Sequence, residues 1–140
     1  MDVRFPFEDA GEDKLGHIWR PVAKVTLKSP IQERWVTVWM VVDTGADYTI
    51  IPRHFSEKLR ISLERDCFKD VTFGVGGTQT IYFLKAKILA KLGKFNRRIP
   101  LAFFDNNEVP ALLGRLGFLE TFNLEFLKSH IVVFKDGAHL

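Results

Sequence analysis

Arg34 to Val42 is a run of β-branched and aromatic residues that stops abruptly at Asp43-Thr44-Gly45-Ala46-Asp47. Such a run reads as a strand. An acid at its end is costly to bring near a core, because its charged form loses hydration there. Placements of that kind gather at functional sites.

Segments of similar character recur along the chain. Ile18 to Lys28 carries Val22, Val25, Thr26 and Leu27, ends at Ser29-Pro30, and is expected to pair with Arg34 to Val42. Thr44-Gly45-Ala46 reads as a tight loop and Tyr48 to Ile51 as a short strand. Pro52 suits a helix start, which predicts a short helix over Arg53 to Leu59. Cys67 to Phe73 and Gln79 to Leu92 are predicted strands joined by the glycine-rich tip Gly74-Val75-Gly76-Gly77-Thr78. Phe95 to Phe104 reads as one strand, Pro110 to Leu113 as a short apolar run, and Gly117 to Phe122 as a second short helix. Leu124 to Leu127 and Ile131 to Phe134 form a closing hairpin. Short strands at this spacing, without repeats, define an all-β fold, a sandwich or small barrel.

A length of 140 residues suits one domain, and 46% apolar residues with 13 Phe supply a core. The Phe excess is expected to serve core packing. Met1 to Leu15 reads as an N-terminal arm, partly ordered at best, with the domain over 16–140. Cys67 is alone and reads as a structural thiol; His17, His54, His130 and His139 show no metal-ligand spacing. Net charge of +3 is mild, and Lys91, Lys94, Arg97 and Arg98 around Gly93 read as a solvated hairpin tip, not a nucleic-acid surface. The start of the chain lacks an apolar signal region, and Trp35 to Val42 is too short to span a bilayer. The expectation is a soluble, cytoplasmic protein with neither a nucleic-acid nor a membrane partner.

Three chemistries could use Asp43. A phosphoryl-accepting aspartate would want an α/β fold and a magnesium-binding acid two residues on, where Gly45 stands. A nucleotide site at Gly74 to Gly77 would want a following Gly-Lys-Ser/Thr and helix, and neither is present. Acid–base hydrolysis by two carboxylates sharing a proton needs a second Asp in the same environment. The chain has no second Asp-Thr/Ser-Gly, but a two-fold homodimer would supply one.

Val41-Val42-Asp43-Thr44-Gly45-Ala46 resembles the active-site signature of the aspartic proteases. Three further features follow in order. The Gly74 to Gly77 tip resembles the flap of retropepsins, Ala111-Leu112-Leu113-Gly114-Arg115 resembles their second apolar-glycine element, and Gly117 to Phe122 resembles the helix after it. The resemblance covers roughly Arg34 to Phe134. It implies a retropepsin-like acid-protease barrel with a flap hairpin and one or two short helices, acting as a homodimeric endopeptidase on peptide or protein substrates. In it Asp43 is the catalytic aspartate, Thr44 braces the paired loops, and Gly45 lets backbone N–H groups approach the carboxylates. Ala46, Asp47, Val75, Gly76, Gly77, Leu112 and Leu113 contact substrate, and Asp47 pairs with Arg115. No cofactor or metal is implied. Ile131 to Phe134 is the first choice for the strand that seals the dimer, and Met1 to Phe7 the second. Tyr48, a bulky residue after Asp47, is expected to alter a subsite. The rival reading keeps the fold without turnover, as a peptide-binding or assembly module.

Overall fold

A computed structural model describes residues 2–74 and 77–136. The frame is set by two alternating segments, β4 (Val22–Lys28) and β5 (Trp35–Val42), paired antiparallel from Val22↔Val41 to Lys28↔Trp35. Ala23, Val25 and Leu27 of β4 and Val36, Val38, Met40 and Val42 of β5 point into the core, while Trp35, Thr37 and Trp39 point out. This period of two buries one face of the pair and wets the other.

Around that pair run β6 (Ile50–Ile51), β7 (Cys67–Gly74), β8 (Gly77–Leu84), β9 (Ile88–Leu92), β10 (Phe95–Ile99), β11 (Ala102–Phe104) and β12 (Leu112–Leu113). They form one sheet in the order β10-β9-β4-β5-β12-β6-β11-β8-β7. A second sheet has the order β1-β14-β13, from Val3–Pro6, Ile131–Lys135 and Asn123–Leu127. Among the described residues, β2 (Glu8–Asp13) and β3 (Gly16–Arg20) pair only with each other. A short helix, α1 (His54–Lys58), precedes β7. The fold is all-β, as its strand pattern predicts, and the sheets enclose a core that includes Phe103, Phe118 and Phe134 at full burial.

Several elements differ from the sequence expectation. Residues 3–13 are not a loose lead-in: Val3 to Pro6 pair with Phe134 to Ile131, and Phe5 packs edge-on against Phe134 and Trp39. The span from Gln79 to Leu92 is two strands, broken at exposed Lys85-Ala86-Lys87. There Lys85 N–H donates to Asp66 O at 2.9 Å, and the chain changes partners from β7 and β11 to β4 and β10. Phe95 to Phe104 also divides, at Pro100, which has no N–H to donate to a ladder. The second helix is a single 3₁₀ turn, Leu119–Thr121.

The basic tip is only partly solvated. Arg97 lies over the Phe122 ring at 4.3 Å, donates to Thr121 Oγ1 and reaches Asp136, so its stem and charge are held by the fold. Phenylalanine serves the core at Phe95, Phe103, Phe104, Phe118, Phe122 and Phe134, but Phe68 and Phe73 stand exposed on β7. Both edges of β14 are already occupied, by β1 and β13. Ile131 to Phe134 therefore has no free edge to lend to another chain. β1, inside the second choice Met1 to Phe7, does have one among the described residues.

Candidate active site

Asp43 leaves the end of β5, and its position is fixed by the strand laid beside it. β12 runs parallel to β5, with Leu112 opposite Val41 and Leu113 opposite Val42. Val41 N–H donates to Ala111 O at 2.8 Å, and Asp43 N–H donates to Leu113 O at 3.1 Å. The catalytic-loop candidate and the Ala111-to-Arg115 element, 70 residues apart in sequence, are thus neighbours in one ladder. On its other side β12 meets β6, through Leu112 and Ile50.

The loop then closes on its own carboxylate. Gly45 N–H donates to Asp43 Oδ1 at 3.0 Å, and Ala46 N–H donates to Asp43 O at 3.1 Å. A Cβ on Gly45 would sit 3.4 Å from Asp43 Oδ1, so the residue's bareness leaves the carboxylate face open. Asp43 is half-buried, while Thr44 and Gly45 are exposed at the rim. Among the described residues, no other titratable side chain hydrogen-bonds to Asp43, and no group of His, Cys, Asp and Glu could hold a metal.

Beyond the loop, Arg115 N–H donates to Ala46 O at 3.0 Å and Leu116 N–H to Asp47 O at 2.8 Å. The Arg115 guanidinium also donates to the Asp47 carboxylate. Asp47, Tyr48, Arg115, Leu116 and Glu120 line a cavity of about 340 Å³ beside the loop. Tyr48 meets Phe83 of β8 edge-on at 5.2 Å, and Phe83 stacks on Phe68 of β7. An aromatic chain therefore links the loop to the base of the β7–β8 hairpin.

The remaining candidates fall in two groups. Leu113 is fully buried in the main core, so only Leu112 of the pair presents side-chain surface; it packs with Ile50, Ile81, Ala102 and Phe104 beneath the hairpin. Gly77 is exposed and pairs with Gly74 at the end of the hairpin, while Val75 and Gly76 lie outside the described residues.

Thr49 carries no sequence signal of its own beyond β-propensity, yet it organises the site. It is buried, and its Oγ1 accepts the Gly114 N–H at 3.1 Å. Gly114 in turn lies flat on the loop. A Cβ there would stand 2.2 Å from Tyr48 O and 2.4 Å from Tyr48 C, so only glycine fits without moving the backbone.

Cys67 is buried at the start of β7. Burial pushes its thiol up to about 11, with Asp66 adding to the shift and Lys85 opposing it. A protonated thiol is a poor nucleophile, so the group is structural.

The overall fold is similar to that in a crystal structure of a retropepsin-like aspartic protease from Rickettsia conorii. It shares 14% identity, covers 95% of this chain and 98% of that one, and has a TM-score of 0.60. At that identity the likeness establishes the fold, a retropepsin-like one. A family model described as aspartyl protease matches residues 24–116, which include Asp43, the β7–β8 hairpin and Arg115. The chain belongs to the aspartyl protease family. No curated protein matches it. Among the described residues, no helix is long and apolar enough to cross a membrane.

Proposed function

We propose that the chain is an aspartic endopeptidase that works only as a homodimer, with one Asp43 from each copy. The observation that carries this reading is the setting of Asp43. Its carboxylate stands at a surface loop, oriented by the Gly45 N–H, with no second acid or base of its own chain bonded to it among the described residues. Two-fold symmetry places a second, identical carboxylate opposite it. Two close carboxylates share one proton. The ionised member draws a proton from a water, and that water attacks the peptide carbonyl carbon. The protonated member donates to the carbonyl oxygen, and the amine then leaves with a proton returned from the dyad.

In this reading Thr44 braces the loops across the axis. Ala46 and Leu112 form apolar walls, and Asp47, held by Arg115, bonds the substrate backbone. Gly77 belongs to the hairpin that closes over the peptide. An extended peptide laid between sheet and hairpin suits strand-like recognition.

The test is cleavage of fluorogenic and unfolded-protein substrates from acid to neutral pH, beside Asp43→Asn, with sedimentation in the same buffers. Cleavage by the wild type with loss in Asp43→Asn, proportional to dimer, is expected. A wild type that is dimeric yet never cleaves would leave the fold as a peptide-binding module. A monomer that cleaves would refute the shared site.

A further inference from the structure

The β2–β3 hairpin does not belong to the body of the fold. It is a two-stranded sheet with no third strand among the described residues, and all six residues of β2 are exposed. Leu15, in the turn between its strands, is 96% exposed. A lone two-stranded hairpin is marginal in water. This one is held locally: His17 Nε2 and Asp9 Oδ1 lie 2.6 Å apart, His17 stacks on Trp19, and Trp19 stacks on His130 beside β14 with centroids 4.5 Å apart.

Its placement is informative. β3 ends at Arg20, and the carbonyl of Pro21 accepts the Val42 N–H at 2.8 Å, one residue before Asp43. The hairpin therefore springs from the catalytic end of the β4–β5 pair. Its charge is opposite to that of the rest of the molecule. Residues 8–20 hold Glu8, Asp9, Glu12 and Asp13 against Lys14 and Arg20, although the whole chain has a net charge of +3; Glu8 lies 3.8 Å from Arg20 within the hairpin, and Asp13 and Glu12 keep their faces towards solvent. Six extended residues reach about 20 Å.

We propose that this hairpin is an arm that closes on a second copy of the chain, across the axis that brings the two Asp43 carboxylates together. The inference rests on the homodimer reading above and names the surface that dimer uses. The acidic β2 edge faces the basic body of the partner, and Leu15 loses its exposure in the contact. An edge lined with charge also disfavours open-ended pairing with other sheets.

The experiment compares wild type with the double variant Glu12→Lys, Leu15→Ser, both surface positions. The dimer dissociation constant is read by sedimentation, and amide hydrogen exchange of residues 8–20 is measured at concentrations above and below it. The expected result is a dissociation constant raised at least tenfold in the variant, and wild-type β2 amides protected only in the dimer. A wild-type dimer matched by an equally tight variant dimer, with β2 exchange independent of concentration, would overturn the arm while leaving the shared site intact. A wild type that stays monomeric at every concentration would overturn both.

Discussion

The hydroxyl of Thr49 is a sharp place to test how the Asp43 loop is held. Thr49→Val preserves the β-branched shape and replaces the hydroxyl, including the acceptor of the Gly114 N–H, with a methyl. The Gly114 N–H, which donates to it at 3.1 Å in a buried setting, is then left without a partner. An unsatisfied buried N–H costs about 1–3 kcal/mol. The added methyl recovers part of that through apolar burial, so a net loss of about 1–2 kcal/mol is expected. Thr49→Ser is the complement: it keeps the acceptor and loses a methyl, for a cost of about 1 kcal/mol. Urea unfolding at fixed protein concentration reads both, provided the slope m is unchanged. The valine variant should also lose more peptidase activity than the serine variant, because it frees Gly114 beside Tyr48 and the loop that carries Asp43. Thr49→Val within about 0.5 kcal/mol of wild type would refute the reasoning, since packing alone would then hold the two segments together.

Gly114 and Cys67 offer further tests. Gly114→Ala drives a Cβ to 2.2 Å from Tyr48 O, against backbone that cannot rotate away. Overpacking of that kind costs about 1–3 kcal/mol, a fall in melting temperature of roughly 3–10 °C for a domain of this size, which calorimetry would detect. Cys67, with its thiol near 11, should react with a thiol reagent at pH 8 about a hundredfold more slowly in the native than in the urea-unfolded protein. The raised thiol pKa stabilises the fold below the ordinary value of 9.0 and loses that contribution as pH climbs towards about 11, so midpoints should fall across that window; a Cys67→Ala variant should lack the fall.

Much of the fold was legible from local pattern. The alternation in Val22 to Lys28 and Trp35 to Val42 dictates strands with one wet face, and the stop at Asp43-Thr44-Gly45 marks the site. Pro100 could have divided Phe95 to Phe104 on sequence grounds alone, because its missing N–H is a local property. The break at Lys85-Ala86-Lys87 could not, because there the strand changes partners, and partner choice leaves no mark on alternation.

What the chain's own order determined was chemistry: an acid after an apolar strand, a glycine-flanked hairpin, and an apolar pair before Gly114-Arg115. Tertiary structure alone decided which of these meet. It laid β12 beside β5, so that Leu113 O receives the Asp43 N–H, and it buried Thr49 against Gly114. It also used both edges of β14 inside the chain and, among the described residues, left β2–β3 without a third strand. These are long-range pairings between segments whose local preferences are satisfied equally well by other partners. Only the whole packing problem, with every buried donor matched to an acceptor, selects among them.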